Sequence, residues 1–193
     1  MARSKQAARK AILDAADLVL KRDGAFNMTM DAVARAAGCA KGLLHYHFHT
    51  KQRLLVEAVG RISATRESEW AQAFDTSDPQ EAIDRTWNVI AREVESGTLR
   101  AWSSLLTLSD SAVDQAVSKA SDRFRSHLTT ATQGLLARAG CESTLPVDRL
   151  GWLLAAVVEG MSFQLAAGAD AEVLTDAYAA AWLGVLSLTS PLR

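Results

Sequence analysis

The spacing of apolar residues constrains this chain most: Ala, Leu, Val and Ile recur every three or four positions almost from end to end, the period of one helix face. Alternating β-branched runs are hard to find, and only three prolines interrupt 193 residues. An all-α fold is expected. Ala8, Ile12, Ala15, Ala16 and Val19 share one face of a first helix that stops near Gly24, a natural left-handed C-terminal position. Thr29 can cap a short second helix carrying Val33, Ala34 and Ala37 and ending at Gly38. A third, barely two turns long, runs from about Ala40 to His47, and a long fourth starts at Thr50 and reaches about Phe74.

Further along, Asp78-Pro79-Gln80-Glu81 is a strong helix start, with Ile83, Trp87, Ile90 and Val94 on one face and an end near Gly97. A shorter piece holds Leu99, Trp102, Leu105 and Leu106. A start at Ser109 or Asp110 leads through Val113, Val117, Ala120, Phe124, Leu128, Ala131 and Leu135 to Gly140. Two final helices, about 147–167 and 170–189, are the most apolar. In the first of them Leu150, Leu154, Val157, Met161 and Leu165 line one side while Trp152, Ala156, Glu159 and Phe163 line another. A helix apolar on two sides needs cover on both, and one small body covers only one. The second side calls for a second copy of the chain, a homodimer through the last two helices.

The length suits one domain or a small head on a larger body. Charge divides the chain the same way. Residues 1–53 carry ten Lys or Arg against four Asp, a net +6, whereas the remainder is −7. A basic head on an acidic body points to a polyanion at the head. No apolar run approaches the roughly 18 residues of a bilayer span, and Asp14 and Asp17 interrupt any signal-peptide core. A soluble, cytoplasmic protein with no membrane partner is expected. Cys39 and Cys141 belong to no CxxC pair, so neither a disulfide framework nor a Cys-rich metal site is indicated.

Within the basic head, Thr29 to Lys51 reads as helix, tight turn at Gly38, then a second short helix. In a helix-turn-helix the first helix braces across the DNA backbone and the start of the second enters the major groove, where base edges differ. The surrounding residues make the pattern specific: Ile12, Ala15 and Ala16; Gly24; Thr29-Met30-Asp31-Ala32-Val33-Ala34; Ala37 through Phe48; and Thr50-Lys51-Gln52-Arg53-Leu54-Leu55. Over about the first 55 residues the chain resembles the tetracycline-repressor (TetR) family of bacterial transcriptional regulators. The resemblance implies a three-helix head, residues 1–53, that binds double-stranded DNA at a palindromic operator. It also implies a helical body, residues 54–193, that holds a small-molecule effector and pairs two subunits.

Carried over by position, the resemblance makes Thr29 a helix cap touching a phosphate. Lys41, Gly42 and Leu43 stand at the entry of the reading helix, His45, Tyr46 and His47 give further base or phosphate contacts, and Lys51 grips a phosphate. Leu44 and Phe48 face the core. Two positions depart from the pattern: Ala40 replaces the usual Ser or Thr cap, at a cost of ~1 kcal/mol, and His45 replaces a common Tyr.

The histidines at 45, 47 and 49 also invite a zinc reading, but no Cys or carboxylate stands close in sequence to complete a tetrahedral set, so neither metal nor cofactor is expected. In the body, Trp87, Trp102, Phe124 and Phe163 lie on different expected helices, either as core or as the wall of the effector pocket. His127 and Glu159 are its candidate polar handles, with Glu159 alternatively pairing across the dimer. A ligand-released repressor is the leading reading. Its alternatives are an activator or partner-responsive regulator of the same fold, and a helical-bundle enzyme. Against the enzyme, the sequence offers no nucleophile motif, metal box or phosphate loop.

Overall fold

The computed structural model describes residues 2–192. Among them are nine helices and two short strands: α1 (Ala2–Asn27), α2 (Met30–Ala36), α3 (Lys41–Phe48), α4 (Lys51–Ala73), α5 (Pro79–Glu95), α6 (Thr98–Leu106), α7 (Ser111–Arg138), β1 (Cys141–Ser143), α8 (Val147–Ala166), α9 (Ala171–Ser187) and β2 (Thr189–Pro191). The helix order is the one the periodicity predicts. No helix among the described residues is long and apolar enough to cross a membrane.

The chain forms two compact units, one comprising the residues up to Ala64 with Ser96–Ala120, the other Thr65–Glu95 with Ser121–Arg193. In the first unit α1 packs against α2, α3 and α6. Ile12, Ala16, Val19 and Leu20 of α1 meet Val33, Leu44, Phe48, Leu54, Trp102 and Leu105 in one buried cluster. Gly24 breaks α1 as expected (φ 75°, ψ 169°), although helical turns resume to Asn27. The break withdraws the Ala25 amide from the helical ladder, the end of α1 at Asn27 leaves the Ala25 carbonyl over, and both find side-chain partners. The Ser104 hydroxyl accepts from the amide at 2.8 Å and the Lys51 ammonium donates to the carbonyl at 2.9 Å. Backbone groups removed from a ladder need such replacements when water is excluded.

On the other side of α1, Arg61 of α4 reaches Asp14 at 2.6 Å and Asp17 at 3.3 Å, while Lys10 holds Asp14 at 2.9 Å. Asp17 is mostly buried, and its Oδ1 has no hydrogen-bond partner among the described residues. Burial pushes its carboxyl up to about 6, against the pull of Arg61. An acid whose pKa is higher folded than unfolded holds its proton more tightly in the native state. Stability therefore falls as pH rises from about 4 to about 6, and the deficit is complete above that window. Asp17→Asn is expected to raise stability at pH 8 by about 1–3 kcal/mol, with the gain closing by about pH 4. Thermal melts of both proteins across this range check it, and an equal gain at pH 4 and pH 8 would contradict it.

In the second unit, α5 packs on α8 and α9, and α8 on α9. Trp70, Phe74, Ile90, Phe124, Leu128, Leu150, Leu154, Tyr178 and Trp182 fill its core. A methyl group on Gly151 would come within 2.3 Å of the Thr129 hydroxyl, so α8 crosses α7 closely there. The strands are an addition to the expected all-helical chain. Cys141 pairs with Pro191, Glu142 with Ser190 and Ser143 with Thr189 in an antiparallel ladder. Three residues per strand leave too short an alternation to read from sequence.

Candidate functional site

In the first unit, the Thr29 hydroxyl accepts from the Ala32 amide at 3.1 Å and starts α2 as the sequence requires. Gly38, at φ 62°, ends that helix, the amides of Gly38 and Cys39 bonding back to Arg35 and Ala34. The chain then enters α3 with no side-chain cap at Ala40. An ion pair holds the start of α3 in its place, Lys41 Nζ lying 2.8 Å from Asp31 Oδ1 in the first turn of α2. The Lys41 hydrogen bond keeps the Asp31 carboxyl below its ordinary range.

Leu44 and Phe48 turn inward, leaving Lys41, Gly42, Leu43, His45 and Tyr46 exposed together on α3, with His47 half-buried. Tyr46 and His47 meet edge to face at 5.3 Å, and the Lys5 ammonium stands 4.9 Å over the Tyr46 ring. The α3 residues assigned by resemblance therefore lie on the side of that helix turned away from the core, and Lys51, outside it, is otherwise engaged. Lys51 is half-buried and bonded to Ala25, and loss of hydration lowers its pKa. Its engagement follows from the end of α1 at Asn27, which leaves the Ala25 carbonyl without a helical partner. Lys5, absent from the sequence assignment, joins this surface over the Tyr46 ring, and no spacing rule could have found it.

The body candidates fare differently. Trp102 is buried in the first compact unit, in the cluster that includes α1 and α6 residues. Glu159 is exposed on α8, neither buried nor in need of a partner within its own chain. The same face of α8 carries Trp152 and Phe163, 62% and 48% exposed. The second apolar side of α8 is thus largely exposed in this chain, with the Arg125 guanidinium 3.9 Å over the Trp152 ring.

Trp87 and Phe124 belong to a chain of rings that the structure brings together, Phe124–Trp70–Phe74–Trp182–Tyr178–Trp87, with centroids 5.5 to 6.4 Å apart. Beside it, Arg66 Nε and Trp70 Nε1 both donate to Glu93 Oε1, at 2.9 and 3.1 Å, and the Arg66 guanidinium lies 4.3 Å from the Phe124 ring centre. A cleft of about 560 Å³ runs between α4 and α7, its walls including Trp70, Phe74, Leu128, Gly134, His127 and Arg138. Its volume falls in the range of small-molecule sites. Arg138 donates to the carbonyls of Phe74 and Thr76 at 2.7 and 2.9 Å, closing the C-terminal end of α4. His127, 3.6 Å from Glu67, is the one sequence-assigned effector residue that lines this cleft.

Residues 12–58 match the sequence profile of the bacterial regulatory proteins of the tetR family. The transcriptional regulator BetI of Agrobacterium fabrum is 32% identical over 97 residues, which cover 49% of this chain and 47% of that relative. The chain spans about half the length of the curated BetI relatives it matches. A TetR transcriptional regulator from Chloroflexus aurantiacus superposes with a TM-score of 0.78 at 19% identity, covering 98% of this chain and 100% of its own. A Saccharomonospora viridis protein solved in complex with choline superposes at 0.68 and 20% identity, over 90% of this chain and 94% of its own. Residues 12–58 thus carry the sequence pattern of the tetR family profile, and the chain as a whole has the fold of the TetR regulator that superposes on it.

Proposed function

We propose that this protein is a cytoplasmic, non-enzymatic, DNA-binding transcriptional regulator, a repressor released from a palindromic operator by a small-molecule effector. Residues 1–53 form the DNA-binding domain and residues 54–193 the effector-binding and dimerisation domain. One observation carries the reading: the exposed Lys41-Gly42-Leu43 entry of α3, with His45 and Tyr46 beside it, inside the segment that matches the family profile. Phosphate contacts from Thr29, Lys41 and His47 fix register, and base contacts from α3 specify sequence. Lys51 joins them by exchanging the Ala25 carbonyl for a phosphate oxygen, so Lys41→Ala is the cleaner test. Duplexes selected from a random library should bind with a steep salt dependence, and Lys41→Ala should flatten that slope by about one. An unchanged slope would remove the assignment, and failure to select any duplex would remove the function.

The open face of α8 and α9 supports the homodimer. Trp152, Phe163, Val173 and Leu183 are all exposed on these two helices, and a second copy packed there would take such side chains out of water. Leu183→Glu is expected to give folded monomers in sedimentation. Trp182 is no substitute for this test, because it is 3% exposed and belongs to the core.

The α4–α7 cleft is our choice of effector site, with an apolar or aromatic small molecule as its occupant. The choline held by the Saccharomonospora viridis protein supports a small organic ligand in a body of this fold. Effector binding would favour a body conformation unsuited to the operator, with a coupling of about 1–3 kcal/mol.

A further inference from the structure

At the end of α3, two hydrogen bonds join His45 and His49. The His49 amide donates to the His45 carbonyl at 2.9 Å, closing the last turn. In return His45 Nδ1 lies 3.2 Å from the His49 carbonyl oxygen. His49 has φ 59° and ψ −51°, the one non-glycine residue with positive φ among those described, and this backbone turn brings its carbonyl back onto the His45 ring.

A carbonyl oxygen only accepts, so Nδ1 must carry the proton. In a neutral imidazole the other nitrogen is then an acceptor. Nε2 lies on the opposite edge of an exposed ring. Asp31 on α2 interacts electrostatically with His45 as well as with Lys41 and Arg35, and it is already paired with Lys41 at 2.8 Å. In the major groove adenine and cytosine present amino donors, whereas guanine and thymine present keto acceptors.

Resting on the regulator reading above, we infer that His45 is a specificity-determining residue that accepts from the amino group of an adenine or cytosine, and that His49 is the positioning residue that fixes its tautomer. The tautomer is a property of the protein without DNA, so it can be tested apart from the regulator reading.

Two-bond ¹⁵N–¹H correlation spectra of ¹⁵N-histidine-labelled full-length protein at pH 8, where imidazole is neutral, should show one Nδ1–H tautomer. Imidazole in water favours Nε2–H, so the signal is diagnostic, and its loss in His45→Ala assigns it. Selection from a random duplex library at the same pH should yield one position per half-site restricted to adenine or cytosine. A keto base there should cost about tenfold in affinity, and His45→Ala should erase that preference while leaving the others. His49→Gly, which keeps the positive φ and the carbonyl, should preserve both readouts, and His49→Val, which disfavours that φ, should lose both.

An Nε2–H form at His45, or an adenine-or-cytosine preference that survives His45→Ala, would overturn the assignment. Both readouts intact in His49→Val would overturn the positioning role. If no duplex is selected, the regulator reading falls and the base assignment with it, while the spectra still decide the tautomer.

Discussion

Replacing Glu93 by alanine is expected to destabilise the second unit by about 3–5 kcal/mol, among the largest losses any single side chain here can cause. The carboxylate is 2% exposed and bonds the Arg66 guanidinium at 2.9 Å and the Trp70 indole at 3.1 Å. Its removal strips a buried cation of its counter-charge. Loss of hydration is offset inside a protein only by good partners, so truncating one member of such a pair costs far more than the pair contributes in net terms. The Phe124 ring, 4.3 Å from the guanidinium, gives a cation–π contact that cannot replace a full negative charge. The double variant Arg66→Met with Glu93→Leu should fall within about 1–2 kcal/mol of the parent, because replacing a buried pair by apolar side chains of similar volume is often neutral or better. Denaturant titration of the three proteins checks both halves. A Glu93→Ala loss below about 1 kcal/mol would mean that water reaches the pair and that its burial is not the controlling fact.

That pair also marks where sequence reasoning stopped. The helical period on α5 picks out Ile83, Trp87, Ile90 and Val94, yet the face that is buried is Ala82, Ile83, Thr86, Val89, Ile90 and Glu93. The helix is rotated from the apolar stripe because Arg66 and Trp70 on α4 supply partners for Glu93, and Tyr178 on α9 donates to the Thr86 hydroxyl at 2.9 Å. Partners 23 to 92 residues away leave no local trace. By contrast the head was legible almost residue by residue. Its signals are local: a threonine cap at 29, glycines at 24 and 38, an uncapped Ala40, and Leu44 and Phe48 one turn apart on the inner side of α3. What the head hid was the use of cations that look free in sequence. Lys41 serves Asp31, and Lys51 serves the Ala25 carbonyl left over where α1 ends. For the effector set, helical period says that Trp102, Phe124 and Phe163 are apolar-facing but not which of them meet. Trp102 and Phe124 fall in different compact units, and Phe163 faces outward.

Gly97→Ala is expected to cost about 3 kcal/mol or more, an effect no reading of the sequence beyond "helix end" would assign. Two penalties coincide there. The residue precedes α6 at φ 79°, ψ 8°, a left-handed conformation that costs an L side chain about 1–2 kcal/mol. An added Cβ would also meet the Lys21 carbonyl oxygen at 2.4 Å and its carbonyl carbon at 3.1 Å, both backbone atoms of α1 that no rotamer change can move aside. To make room α6 must withdraw from α1, and with it the Trp102 and Leu105 side chains and the Ser104 hydroxyl that satisfies the Ala25 amide. Gly38→Ala serves as the control, because Gly38 has φ 62° with nothing within 4 Å of a would-be Cβ, and so carries the backbone penalty alone. The expected order in thermal and denaturant unfolding is parent, then Gly38→Ala, then Gly97→Ala with roughly twice the loss or more. Lys21→Ala should not rescue Gly97→Ala, since the clash is with the main chain. Equal losses at the two glycines would show that conformation alone sets the cost and that α6 can retreat from α1 freely. A larger loss at Gly97 identifies the α1–α6 contact as rigid, which any signal carried through α6 to the head would require.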